Sequence, residues 1–195
     1  MAILETENVV KTFGELRAVD DFSLDLEEGS IVGLIGPNGA GKTTFFNTVT
    51  GIYRPDNGRV RLKGENVEGL RPWQISRKGL VKTFQIPRAL ENLTVLENMM
   101  IPPRNQTGEN FFRSVLRDRQ VLREERDNLD RALELLKEGG LYERRNDDAS
   151  ELSVGQSKLL EVTRTLMTNP DILLLDEPTA GTTTAETKAI MDYIK

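Results

Sequence analysis

The chain has 195 residues, of which 37% are hydrophobic and 29% charged, a balance typical of one globular domain and not of a disordered chain. Its formal net charge of -5 argues against a nucleic-acid-binding protein, which usually presents a basic face to phosphates. It contains no cysteine and no histidine, which excludes disulfides and thiolate or imidazole metal sites, so a catalytic base must be a carboxylate or a lysine.

The N-terminal part of the sequence predicts strands around one loop and one helix. Period-two alternation predicts strands over residues 4–10 and 22–26, and the fully apolar run 31–35 predicts a buried central strand. Glycines from Gly36 onward break that strand, and a helix is predicted over Lys42–Val49. The expected order is therefore strand, loop, helix.

The rest of the chain alternates strands with helices. Between Leu93 and Leu136 the apolar residues recur at helical spacing among dense charges, which predicts a helical region. Since no repeat or flexible linker divides the sequence, we expect one α/β domain over residues 1–195, with a helical subdomain at about 90–168 inserted into it. Strands are predicted over residues 59–63, 81–84 and 172–175, and helices over 72–78, from the 153–155 segment to 167, and from about 184.

The N-terminus lacks the basic and then long apolar pattern of a signal peptide. The apolar runs are far shorter than the roughly 20 residues that a membrane-spanning helix needs. We therefore expect a cytoplasmic chain that reaches a membrane only through a partner.

The strongest motif is a glycine-rich loop that matches G-x-x-x-x-G-K-[ST] between a predicted strand and a predicted helix, the context that a P-loop requires. Its backbone N–H groups can surround a β-phosphate, Lys42 can reach the β and γ oxygens, and the Thr43 hydroxyl can hold Mg²⁺. The motif predicts a P-loop NTPase fold that binds ATP with Mg²⁺. The nucleotide-binding residues that we expect here are Gly36, Pro37, Asn38, Gly39, Ala40, Gly41, Lys42, Thr43 and Thr44.

An acidic pair follows the apolar run 172–175, where a P-loop protein needs a carboxylate for its metal. Successive residues that leave a strand diverge, so Asp176 can face Mg²⁺ while Glu177 accepts a proton from the attacking water. Alone, such a pair would more often be a solvated turn. Combined with the P-loop, it predicts ATP hydrolysis.

Two further motifs make a family resemblance specific. Leu152-Ser-Val-Gly-Gln156 resembles the ABC signature LSGGQ, at the spacing which that family shows before Asp176-Glu-Pro-Thr179, and Gln85 resembles its Q-loop glutamine. With the P-loop, these ordered motifs are similar to those of ABC ATPases over essentially the whole chain. The resemblance implies an α/β P-loop NTPase (ABC ATPase) core with a mixed sheet, an N-terminal antiparallel β subdomain and a helical insertion.

The resemblance also implies roles for single residues. Gln85 would sense the γ-phosphate and metal and act in catalysis with Lys42 and Glu177, while Phe13 would stack on adenine. A buried core phenylalanine is the alternative for Phe13. Thr43, Gln85 and Asp176 would be the metal ligands.

In the family, two subunits pair head to tail, so that the signature residues of one meet the γ-phosphate held by the other. Ser153, Gly155 and Gln156 would make this contact here, although in isolation the motif would be read as a helix N-cap. The implied partners are a second ABC ATPase subunit, in a homo- or heterodimer, and integral-membrane permease subunits, with no direct nucleic-acid contact. Three threonines, Thr182 to Thr184, stand where relatives carry an interface loop, and suit an extended or capping role.

Within the family, the sequence looks most like the ATP-binding subunits of branched-chain amino-acid importers, in the segments 81–85, 92–98 and 166–170. Because that family continues with further strands and a switch histidine, we interpret the chain as C-terminally truncated. Two other functions stay open. A soluble ABC ATPase of nucleic-acid maintenance would carry a long coiled-coil insertion or a zinc module, and a nucleotide-binding module would bind ATP without turnover.

Overall fold

The computed structural model describes residues 2–83, 90–102 and 119–194, and these form two compact units. The first unit comprises the described residues of Met1–Lys82 and Pro170–Asp176, and the second those of Thr83–Asn169 and Glu177–Lys195. The first is built mainly from strands and the second from helices. The single domain with a helical subdomain over 90–168 stays a prediction.

A four-stranded antiparallel sheet forms most of the first unit, in the spatial order β2-β1-β3-β4. Leu4 of β1 lies opposite Leu26 of β2 and Leu62 of β3, so these side chains share one face of the sheet. Leu4 and Leu62 are buried in the core of the unit. The predicted strands over 4–10, 22–26 and 59–63 are confirmed, and the strands are β1 (Ala2–Phe13), β2 (Leu16–Glu27), β3 (Asn57–Leu62) and β4 (Glu65–Asn66).

A second, two-stranded sheet in the same unit is parallel and consists of β5 (Leu80–Lys82) and β6 (Ile172–Leu174). Lys82 lies opposite Leu174 in this ladder. Helices α1 (Lys42–Val49) and α2 (Pro72–Arg77) contribute Phe45, Val49 and Ile75 to the same core as Leu80 and Ile172. The predicted helices over 42–49 and 72–78 are thus confirmed, and so are the predicted strands over 81–84 and 172–175 as far as the described residues reach.

Residues 31–35 are the part of this unit for which the prediction is wrong. They form no strand, and Ile31, Val32 and Ile35 are exposed, Ile35 by 94%. The pattern shows that these side chains are apolar, but a buried strand also needs backbone partners, and neither β5 nor β6 pairs with this segment. The segment is an irregular connection from β2 to the glycine-rich loop.

The second unit is helical, as the apolar spacing predicts. Its buried residues include Met99, Leu136, Leu160 and Ile190, one from each of the four helices that the described residues form. These helices are α3 (Val95–Met100), α4 (Arg119–Glu138), α5 (Val154–Leu166) and α6 (Thr184–Ile194), joined in part by short 3-10 turns at Tyr142–Arg144 and Ala149–Glu151. None of the helices in the described ranges combines the length and the apolar character that crossing a bilayer requires. The α/β fold class, with its antiparallel subdomain, parallel strands and helices, is confirmed.

Candidate functional site

The glycine-rich loop leads directly into helix α1. Gly39 and Gly41 have φ of 80° and 87°, in the left-handed region that favours glycine. A Cβ on Gly41 would lie 2.0 Å from the carbonyl oxygen of Ala18, so no other residue fits there without moving the backbone. The Ala40 N–H donates to the Pro37 carbonyl at 3.2 Å. The loop is thus the tight backbone turn that the motif predicts.

The side chain of Lys42 bends back over this loop. Its Nζ donates to the carbonyl oxygens of Gly36 at 2.7 Å and Pro37 at 2.9 Å. The ammonium group therefore lies within the curve of the loop, at the N-terminus of α1, where the helix dipole also favours negative charge. An anion bound at the N-terminus of α1 would therefore interact with both the Lys42 ammonium and the helix dipole.

Asp176 lies beside the first turn of α1, as the motif pairing predicts. It follows the end of β6 and is buried, and the Thr43 hydroxyl donates to its Oδ1 at 3.3 Å. The hydroxyl and carboxylate oxygens are the hard donors that Mg²⁺ prefers. The described parts of the chain contain no cluster of three or more histidine, cysteine, aspartate or glutamate side chains that could together bind a metal ion. A cation beside Thr43 and Asp176 would thus need further oxygens from a bound phosphate or from water.

A buried lysine to which no sequence motif pointed also contacts Asp176. The Lys82 Nζ lies 3.0 Å from Asp176 Oδ2, and the two side chains are 9% and 4% exposed. The same ammonium donates to Asn47 Oδ1 at 2.8 Å. Buried charges are tolerated when they are paired and hydrogen-bonded. The available signal was a lysine at the end of an apolar strand, where burial demands an acidic partner.

Glu177 follows Asp176 with an unusual backbone conformation. Its φ is 51°, a left-handed conformation that costs a non-glycine residue roughly 1–3 kcal/mol. Its carbonyl oxygen accepts hydrogen bonds from the Lys158 Nζ at 2.9 Å and from the Ala180 N–H at 3.1 Å. Lys158 is buried on α5, and no sequence motif pointed to it. These bonds hold the turn that carries the predicted base.

The signature segment caps helix α5. The Gln156 N–H donates to Ser153 Oγ at 3.2 Å, and the Ser153 N–H donates to Gln156 Oε1 at 3.0 Å, which confirms the helix N-cap interpretation. The Ser153 hydroxyl donates in turn to Glu186 Oε1 at 2.7 Å. A Cβ on Gly155 would lie 2.3 Å from the carboxyl carbon of Glu186. Only glycine therefore allows Glu186 to approach so closely.

Glu186, to which no sequence motif pointed, also caps its own helix. Its Oε2 accepts hydrogen bonds from the Thr183 N–H at 2.9 Å and the Thr183 hydroxyl at 3.0 Å. The capping role expected for the threonine run is thereby confirmed at Thr183. The Ser153 hydroxyl, and then the backbone and hydroxyl of Thr183, lower the pKa of Glu186 from 4.5 to about 2.

Replacement of Ser153 by alanine should raise the pKa of Glu186 toward 4.5, because it removes the hydrogen bond that lowers this pKa most. Since the folded-state pKa is depressed, the stabilising effect of this carboxylate is present above pH 4.5 and is lost as the pH falls through about 2. A carboxyl-carbon NMR titration of the wild type and the variant measures the shift. Ser157→Ala, on the same helix, is the matched control and should leave the pKa at its wild-type value. A Glu186 pKa that does not move in Ser153→Ala would show that this hydrogen bond is not formed in solution.

The remaining predicted residues occupy separate places. Phe13 ends β1, is 44% exposed, and packs edge-to-face on Tyr53 with ring centroids 5.2 Å apart. The alternative of a buried core phenylalanine is therefore wrong. Gln85 lies outside the described residues. Asn38 belongs to the loop and Thr44 to the first turn of α1.

Known proteins resemble this chain over most of its length. The family model of the ABC transporter matches residues 19–180. The high-affinity branched-chain amino acid transport ATP-binding protein LivG of Salmonella typhimurium is 42% identical over 192 residues, covering 98% of this chain and 75% of the relative. The probable branched-chain amino acid transport ATP-binding protein LivG of Archaeoglobus fulgidus is 45% identical over 181 residues, covering 93% and 69%.

Solved structures show the same fold. The ADP conformation of an ATP-binding cassette of an ABC transporter is 37% identical, with a TM-score of 0.82, over 100% of this chain and 76% of the other. A dimeric, post-hydrolysis ATP-binding cassette bound to ADP and Pi is 27% identical, with a TM-score of 0.77, over 98% and 81%. These relatives support neither a nucleic-acid maintenance ATPase nor a module without turnover. With a family match over most of its length and relatives above 40% identity, this chain belongs to the ABC transporter family of ATP-binding cassettes.

Proposed function

We propose that this chain is the ATP-binding and ATP-hydrolysing subunit of an importer of branched-chain amino acids. One observation carries the nucleotide part of the proposal: Thr43 of the P-loop helix donates to Asp176, the acidic residue that closes a core strand. The substrate class is supported by the names of the relatives, since the transported molecule leaves no chemical trace on a subunit that it does not touch.

The P-loop would bind the triphosphate. Lys42 would leave its two carbonyl partners and pair with the β- and γ-phosphate oxygens, while the N-terminus of α1 adds backbone N–H groups. Phe13, exposed at the end of β1, would stack on the adenine ring. The loop residues 36–44 would thus fix the nucleotide by its charged end.

Magnesium would be held by Thr43, Asp176 and Gln85 together with phosphate oxygens. The cation neutralises charge on the triphosphate when it is bound. Glu177, the carboxylate that follows Asp176, would accept the proton of the attacking water. The left-handed backbone of Glu177, fixed by Lys158, supports this role.

The signature would act on ATP bound by a second subunit. In this structure Ser153 and Gly155 already donate to a carboxylate, so the N-terminus of α5 holds an anionic oxygen. We propose that in the dimer Ser153, Gly155 and Gln156 contact the γ-phosphate of the ATP that the other subunit binds. The two subunits would then pair head to tail, and the pairing would depend on the nucleotide. The dimeric relative bound to ADP and Pi is consistent with such a pair.

We further propose that the two units form one ABC ATPase domain, whose helical region over 90–168 docks on a permease. The partners would be a second ABC ATPase, in a homo- or heterodimer, and integral-membrane permease subunits. The chain would then lie at the cytoplasmic face of the cell membrane, peripheral to it through the permease.

The nucleotide part is tested by calorimetric titration of the protein with ATP in the presence of Mg²⁺. We expect saturable binding of one ATP per chain, because the Lys42 ammonium lies at the loop and Thr43, the next residue, lies beside Asp176. If the titration detects no binding of ATP, the proposed function is wrong.

The transport part needs a separate experiment. Membranes that contain this chain together with its permease subunits should take up leucine when ATP is supplied. Uptake of a different solute class by the same assembly, with leucine excluded, would refute the proposed substrate while leaving the ATPase assignment intact.

A further inference from the structure

The two oxygens of the Asp176 carboxylate face two different groups. Oδ1 accepts a hydrogen bond from the Thr43 hydroxyl at 3.3 Å, and Oδ2 lies 3.0 Å from the Lys82 ammonium. The carboxylate is thus held by a hydrogen bond at one oxygen and by an ion pair at the other. Lys82 takes no part in the motifs that define the nucleotide site.

The position of Lys82 follows from the parallel ladder. Lys82 pairs with Leu174, the last residue of β6, and Asp176 comes two residues later. Leu80, which points to the same side as Lys82, is fully buried in the core. The lysine stem is therefore held by core packing, and only the ammonium reaches the end of the sheet.

Helix α1 holds the other side of the ammonium. Lys82 donates to Asn47 Oδ1 at 2.8 Å and lies over the Phe46 ring at 5.9 Å. Asn47 is four residues after Thr43, so the two side chains share one face of α1. That face contacts Asp176 directly through Thr43 and indirectly through Asn47 and Lys82.

We propose that Lys82 is a positioning residue for the metal site: it fixes Asp176 through Oδ2, so that Oδ1 stays beside Thr43 as a ligand for the magnesium ion of bound ATP. This inference rests on the proposed function. Metal-ligating carboxylates are commonly held by such outer partners, whose loss lowers metal affinity by about 10- to 100-fold. Lys82 itself touches neither nucleotide nor metal in this role.

The test replaces Lys82 by methionine, which keeps the apolar stem and removes the ammonium. Two quantities are measured: the affinity for a non-hydrolysable ATP analogue in EDTA, by calorimetry, and the affinity of Mn²⁺ for the complex of protein and analogue, by electron paramagnetic resonance. We expect the metal-free affinity to stay at the wild-type value and the Mn²⁺ affinity to fall by about 10- to 100-fold. A residue with a merely structural role would not change the metal step alone.

A matched control removes another lysine–aspartate pair beside β6. Lys63 pairs with Asp171 at 2.7 Å immediately before that strand, and both side chains are about half exposed. Lys63→Met should leave both affinities unchanged. This control distinguishes the effect of removing the Lys82 ammonium from the effect of removing any positive charge near β6.

The outcomes are distinct. If the wild type binds no analogue, the proposed function fails. If the wild type binds and Lys82→Met binds Mn²⁺ equally or more tightly, the positioning role alone is refuted. If Lys82→Met does not bind the analogue in EDTA, the same measurements are made on Asn47→Ala, which removes the hydrogen bond that holds the Lys82 ammonium. Weaker Mn²⁺ binding by Asn47→Ala supports the positioning role. Unchanged Mn²⁺ binding overturns it.

Discussion

Replacement of Lys42 by alanine is expected to weaken ATP binding by about 10- to 100-fold, since a charge-assisted hydrogen bond contributes roughly 1.5–3 kcal/mol and 1.4 kcal/mol is tenfold in affinity. The Nζ of Lys42 already lies within the P-loop, bonded to two of its carbonyl oxygens. A phosphate in the loop would meet this ammonium without a rearrangement of the backbone. The loss should therefore appear in binding itself and not only in turnover.

Calorimetric titration with ATP and Mg²⁺ measures this effect directly. Lys78→Ala is a suitable control, because Lys78 belongs to the same unit but pairs with Glu65 at the surface. It should bind ATP like the wild type. Equal ATP affinity in Lys42→Ala and the wild type would show that this lysine does not hold the triphosphate.

The P-loop could be predicted in detail because its chemistry is local. Gly39 and Gly41 occupy left-handed conformations that other residues rarely adopt, and the sequence places glycine at both positions. The apolar run 172–175 likewise predicted a strand that is followed by a carboxylate. In both cases the backbone requirement and the residue type lie within a few positions of each other.

Residues 31–35 show the limit of the same logic. Their apolar character predicted a buried strand, yet Ile35 is almost fully exposed. A run of apolar residues indicates that the side chains favour burial, but it does not indicate which strand forms backbone hydrogen bonds with the segment. Strand pairing is a nonlocal property, so the error arose where the prediction depended on partners.

Lys82 and Glu186 were missed for a related reason. Each acts through a residue distant in sequence, Lys82 through Asp176 and Glu186 through Ser153. No spacing rule connects such pairs. A buried lysine at a strand end, and a glutamate three residues after a threonine cap, were nevertheless visible hints that a partner or a capping role should be sought.

The second unit links the signature helix to the predicted base. Lys158 extends from α5, which Ser153 caps, to the carbonyl oxygen of Glu177. A displacement of α5 along its axis would therefore act on the backbone of Glu177, which already has a strained φ. The left-handed turn at Glu177 is thus supported by the helix that carries the signature.

Replacement of Glu177 by glutamine is expected to lower the rate of ATP hydrolysis by about 10²-fold or more, because a general base contributes roughly 10²–10⁴-fold. Glutamine keeps the size and the backbone requirements of glutamate, so the hydrogen bonds from Lys158 and Ala180 to the carbonyl oxygen of residue 177 should remain. ATP affinity should stay at the wild-type value, since the variant loses only the ability to accept a proton.

Phosphate release by the assembly with its permease, measured beside a calorimetric titration, separates these two quantities. Asp171→Asn is the matched control: it removes a carboxylate immediately before β6, whereas Glu177 follows the same strand, and it should leave turnover unchanged. If Glu177→Gln hydrolyses ATP at the wild-type rate, another group must accept the proton.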